Sequence, residues 1–135
     1  MMRSIERVVG DRQPRLVNTP AAAAGRERIA ALFAEAGVVL EPQSIHLERS
    51  RSGAINLTNL VGRIAGTDPS AGAIAVVSHS DSVRVSPGAG DAAAGVVAVA
   101  EVAHALKDRP ARHDVVVLIT DGEEAGLLGA EVFMR

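Results

Sequence analysis

Two short, wholly apolar runs constrain this chain most. Residues 73–78 read Ala-Ile-Ala-Val-Val-Ser and residues 115–120 read Val-Val-Val-Leu-Ile-Thr. Each has the length and β-branched content of a strand, and neither alternates with polar residues. That pattern belongs to strands covered on both faces, as in parallel sheets. Between them, the stretch 92–107 places Val96, Val97, Val99, Val102 and Leu106 at helical spacing. Strand, helix and strand in this order define a right-handed parallel βαβ unit. The expected fold class is α/β: three layers, αβα, around a mostly parallel mixed sheet.

The upstream half supplies the flanking elements. Residues 1–18 are mixed and charged, with a short helix at 2–9 and no other strong element. Thr19-Pro20 is a helix start, because Thr can cap the free amides and Pro suits the first helical position. Ile29, Leu32, Phe33 and Ala36 then recur at helical spacing up to Gly37, a C-terminal stop. Val38–Glu48 and Ile55–Ile64 read as two strands of a hairpin, with a turn at Ser50–Gly53. Asp81–Gly90 is a loop rich in Ser, Gly and Pro, and Asp91 is expected to open the second helix. Ala125 onwards reads as a further helix. The segments are thus a leading helix (19–37), a hairpin (38–65) and a βαβ core (73–135).

Composition narrows the function. Fourteen basic and sixteen acidic residues give a net charge of −2, and the chain has 2 Phe with no Trp or Tyr. There is no basic patch and no aromatic stacking platform, so nucleic acid is not an expected partner. The absence of Cys excludes a disulfide framework, a thiolate zinc site and a Cys nucleophile. Met1–Gly10 carries three charges and no apolar core, unlike a signal peptide. No apolar stretch is expected to run the ~20 uninterrupted residues of a membrane span.

Chemistry concentrates at two strand ends. His79-Ser80-Asp81 follows the first apolar run, and Asp121-Gly122-Glu123-Glu124 follows the second. Ligands of open α/β sheets bind outside the carboxyl ends of the strands. Parallel strands put both clusters on one edge, and the loop 82–90 returns Asp91 to it. One imidazole and several carboxylates suit a divalent metal, and without Cys the set points to a catalytic rather than a structural zinc. On an emerging strand, residues i and i+2 point the same way, so Asp81 is placed to orient His79. Glu123 and Glu124 diverge on a turn: one can bind metal while the other faces a water as general base. Taken singly, Asp91 is a helix N-cap and the Glu pair is a first-turn pair favoured by the helix dipole. Their coincidence at matched strand ends favours the metal. His46, His104 and His113 read as surface residues.

These motifs resemble peptidase family M28. They are Asn59-Leu60-Val61-Gly62-Arg63, His79-Ser80-Asp81-Ser82-Val83, Pro87-Gly88-Ala89-Gly90-Asp91-Ala92-Ala93-Ala94-Gly95 and Asp121-Gly122-Glu123-Glu124-Ala125-Gly126-Leu127-Leu128-Gly129-Ala130. Their order and separations fit the family, and the similarity runs to Phe133. The resemblance implies a zinc aminopeptidase acting on peptides with a free amino terminus. It implies that His79 binds one zinc, Asp91 bridges two, Glu124 binds the second, Asp81 orients His79 and Glu123 is the general base. Gly90 and Ala92 stand where the family usually has Asn before the bridging Asp and Asn or Asp after it. The family takes one further Asp and one further His from a region beyond the Glu pair. The resemblance therefore implies an N-terminal part of a catalytic domain, incomplete at its C-terminus, with weak zinc binding and little hydrolysis by itself. Members are often exported or membrane-anchored.

Three other readings share the features. An M20-type metallo-deacylase or dipeptidase uses a similar ligand set, but its bridging Asp is usually followed closely by Lys-Gly, where Ala93-Ala94-Gly95 stands here. The other two are a glutaminyl-cyclase-like transferase and a non-catalytic interaction domain.

Overall fold

The computed structural model describes residues 1–50 and 53–135. The central residues of the turn expected at Ser50–Gly53 lie outside the described residues. Four α-helices and four strands follow one another along the described chain: α1 (Met2–Val9), α2 (Pro20–Glu35), β1 (Glu41–Ser50), β2 (Gly53–Ile64), β3 (Ala73–His79), α3 (Gly95–Asp108), β4 (Asp114–Thr120) and α4 (Leu128–Phe133). Thr19 caps α2, its hydroxyl oxygen accepting from the Ala22 amide at 3.2 Å, and Pro20 occupies the first turn.

The strands form one mixed sheet in the order β1-β2-β4-β3. β1 with β2 and β2 with β4 run antiparallel; β3 and β4 run parallel, joined through α3. The parallel part expected from sequence is thus this single pair, and the hairpin supplies the antiparallel remainder. In the β3–β4 register His79 lies opposite Thr120, so both strands end side by side.

One face of the sheet carries the core. Leu60, Val117 and Ile119 meet Val8 and Val9 of α1, Ile29 and Phe33 of α2, and Val96, Val97 and Ala100 of α3. Phe33 is fully buried; truncating such a residue to Ala typically costs about 3–5 kcal/mol. Small residues complete the contact: Ala100 and Ala103 on α3, and Ala93 just ahead of it. On the other face, Gly129 of α4 lies over Asn59 of β2, whose amide donates to the Gly129 carbonyl at 2.9 Å. Helices on both faces make the αβα arrangement.

Three expectations need correction. β3 is not covered on both faces: it is an edge strand, and Ile74 and Val77 are 50% and 53% exposed. Its apolar sequence matches a central strand, but among the described residues none pairs with its outer edge. Second, α3 begins at Gly95 rather than next to Asp91, because Asp91 and Ala92 have non-helical backbone angles (φ −116°, ψ 98° and φ −125°, ψ 29°). Asp91 is therefore not an N-cap. Third, α4 begins at Leu128 rather than near Ala125, since Gly126 and Leu127 take positive φ of 109° and 60°. In addition, Ala89–Asp108 is long and apolar enough, by length and mean hydropathy of 1.3, to pass for a membrane span. Burial of Val96, Val97, Val99, Ala100 and Ala103 against the sheet and helices accounts for that composition.

Candidate metal centre

The strand ends bring the expected groups together. His79 is the last residue of β3, and its ring lies between carboxylates on both sides. Nε2 stands 2.9 Å from Asp91 Oδ1 and 3.8 Å from Glu123 Oε2. Nδ1 stands 3.2 Å from the Asp81 carbonyl oxygen and 3.4 Å from Asp81 Oδ1. Asp81 thus faces the imidazole as the i, i+2 spacing implies, with its backbone the nearer group. Its carboxylate has a second task that the spacing did not reveal: it accepts from the Glu123 amide at 3.1 Å and the Glu124 amide at 3.0 Å. One fully buried carboxylate therefore ties the end of β3 to the turn after β4.

The Glu pair diverges. Glu123 reaches toward His79, while Glu124 borders a cleft of about 390 Å³ also lined by Leu16, Val17, Ile55, Val83 and Arg84. Asp91 enters from the irregular turn Ala89–Ala94, and the Asp91–Ala92 peptide is cis. His46 bonds to Asn56 on the hairpin at 2.7 Å, away from this rim. His104 lies on α3 beside Glu101, Val97 and Leu32, and His113 lies just before β4.

Electrostatics at the rim are lopsided. Among the described residues, no Lys or Arg forms an ion pair with Asp81, Asp91, Glu123 or Glu124. Burial alone would lower the His79 pKa, but hydrogen bonds and charge from Asp81, Asp91 and Glu123 override it and raise the pKa to about 9. The Glu124 carboxyl is pushed up by desolvation and then by the charges of Asp91 and Glu123. A raised imidazole pKa stabilises the fold fully below the ordinary value near 6.5, and the gain is lost as pH rises through about 9. Metal-free protein should therefore lose on the order of 2 kcal/mol between these limits, after allowance for screening. Urea unfolding at a series of pH values checks this; the slope should flatten in His79→Gln, and an equal slope in both would contradict the pairing.

Asp121 serves structure rather than the rim. It is buried; its Oδ2 accepts from the Thr58 amide at 3.0 Å and Arg26 Nη1 at 3.1 Å, and its Oδ1 has no hydrogen-bond partner. Burial pushes its pKa up, against the opposing effects of Thr58 and Arg26. Asn59 Oδ1 accepts from the Asp121 amide at 3.0 Å. Sequence reading gave Arg26 and Asn59 no part in this network; the one available signal was a polar Asn inside an apolar strand.

The donor chemistry fits a divalent cation. Ligands held ~2.0–2.2 Å from one zinc stand roughly 3–3.5 Å apart, and the His79–Asp91 pair is near that separation at 2.9 Å. Among the described residues, no group of three His, Asp or Glu side chains is placed to hold a metal ion.

Fold and rim together define an αβα domain with an acidic, His-bearing site at the carboxyl ends of two parallel strands. Residues 59–135 match the model of peptidase family M28, and the chain belongs to that family. It is 39% identical over 92 residues to an N-carbamoyl-L-amino-acid amidohydrolase of Paenarthrobacter aurescens, covering 68% of this chain and 19% of the relative. It is 40% identical over 81 residues to a vacuolar membrane protease of Yarrowia lipolytica, covering 57% and 8%. Among solved structures, a Porphyromonas gingivalis glutaminyl cyclase superposes with a TM-score of 0.82 at 20% identity, over 98% of this chain and 51% of that one. A leucine aminopeptidase precursor of Bacteroides thetaiotaomicron gives 0.78 at 21%, over 98% and 54%. The chain thus spans about half of these solved structures and less than a fifth of these curated relatives.

Proposed function

We propose that this chain carries part of the zinc centre of an exopeptidase, with His79, Asp91 and Glu124 as metal ligands. The observation that carries the reading is one imidazole ringed by Asp81, Asp91 and Glu123 within 4 Å, with no Lys or Arg among the described residues paired to any of them. Zinc bound there supplies Lewis-acid polarisation of the scissile carbonyl and acidifies a water. The protein groups do the rest. Asp81 holds the imidazole from its Nδ1 side, leaving Nε2 as the donor. Asp81 also fixes the backbone of Glu123 and Glu124, so both carboxylates leave the turn in set directions. Glu123, the member of the Glu pair that reaches toward His79, takes a proton from the attacking water and returns it to the leaving amine. The cleft beside Glu124, lined by Leu16, Val17, Ile55 and Val83 together with the polar Asn18, Ser82 and Arg84, offers room for a substrate side chain.

The amidohydrolase relative favours a second reading, hydrolysis of an N-acylated amino acid. A panel separates them: an unblocked aminoacyl amide, an N-carbamoyl amino acid and a peptide with N-terminal Gln, each with added zinc. Turnover of the first alone supports the exopeptidase, and turnover of the second alone replaces it with the deacylase. Cyclisation of the third marks a transferase. A protein that takes up no metal would be an interaction domain.

A further inference from the structure

Arg15 is one of the largest fully buried side chains, 1% exposed, and the metal chemistry above does not use it. Among the described residues it pairs with no carboxylate within salt-bridge distance. Its donors go to the loop between His79 and Asp91 instead. Nε donates to the Ser80 carbonyl at 2.9 Å, Nη1 to the Pro87 carbonyl, and Nη2 to the Gly88 carbonyl at 3.5 Å. The backbone joins in: the Arg15 amide donates to Ser82 Oγ at 2.9 Å, and the Ser82 amide donates to the Arg15 carbonyl at 3.2 Å. One residue thus grips both ends of a loop that has no secondary structure of its own.

The grip reaches Asp91 through one further step. The Gly88 carbonyl that receives Nη2 also accepts from the Ala93 amide at 3.0 Å, across the turn holding Asp91. Space is reserved for the guanidinium stem: a Cβ on Gly25 of α2 would sit 2.5 Å from Arg15 Cδ.

We propose that Arg15 is a positioning residue that sets the place of Asp91 against His79 by clamping residues 80–88 at both ends. Resting on the metal reading above, it adds a determinant outside the metal-binding rim. A planar fork with fixed donors suits three carbonyls better than a flexible ammonium does.

Two measurements test it, using Arg15→Met, Gly25→Ala and a Phe33→Leu control that weakens the core without touching the loop. The first is amide hydrogen exchange of the metal-free protein. Arg15→Met should speed exchange at Ser82 and Ala93 on the order of tenfold, with Val117 of β4 unchanged. The second is cobalt(II) titration read by its visible absorption. Arg15→Met should weaken cobalt binding at least about tenfold. Gly25→Ala should shift it the same way although Ala normally favours a helix, and Phe33→Leu should leave it within twofold. Exchange that is unchanged, or faster uniformly across β4, overturns the proposal, as does wild-type cobalt affinity in Arg15→Met. If the unmutated protein takes up no cobalt, the metal reading fails and the exchange result alone decides the role of Arg15.

Discussion

Whatever rate the zinc-loaded protein sustains on its substrate, Glu123→Gln should lower it by about 10²–10⁴-fold. Gln keeps the length and shape of Glu but cannot take a proton from water. Glu123 stands 3.8 Å from His79 and is one-third exposed, so the change leaves the fold and the other donors in place. Zinc affinity should stay within a few-fold of the unmutated protein. The check is initial rate and zinc titration on one preparation. A variant that keeps more than a tenth of the rate would remove Glu123 from the proton transfer and turn attention to Glu124.

The second large effect is expected at Asp81. Its carboxylate, only 1% exposed, accepts from the Glu123 and Glu124 amides and faces the His79 ring. Asn matches its shape but presents an NH₂ to one of those two amides. A buried donor then meets a donor, and a buried charge that neighbours His79 is lost. Asp81→Asn should lower stability by about 3 kcal/mol and zinc affinity by 10–100-fold. Urea unfolding and zinc titration measure the two. A cost below about 1 kcal/mol would mean that the β3 and β4 ends are held by other contacts, such as the Ser80 amide on the Thr120 carbonyl at 2.8 Å.

What was legible in the sequence was carried by local pattern. Two β-branched runs each ending in polar, metal-competent residues were enough to place His79 beside the Asp121–Glu124 turn, since parallel strands share their ends. The Thr19-Pro20 start of α2 was legible for the same reason, a cap being a local device. Less visible was anything set by distant contact. The apolar run 73–78 showed that β3 avoids water, but not whether a neighbour lies on each side of it. The helical spacing after Asp91 hid the extended backbone that delays α3 to Gly95, because apolar periodicity does not report φ and ψ. Arg15 gave no signal: its partners lie 65 to 73 residues away, and a cation among mixed charges reads as surface.

Zinc titration of the metal-free protein, beside His79→Ala and Asp91→Ala, tests the central claim most directly. Expected is weak zinc uptake by the unmutated protein that disappears in both variants, with the fold retained by circular dichroism. No uptake by the unmutated protein, or equal uptake by all three, would contradict a metal centre at this rim.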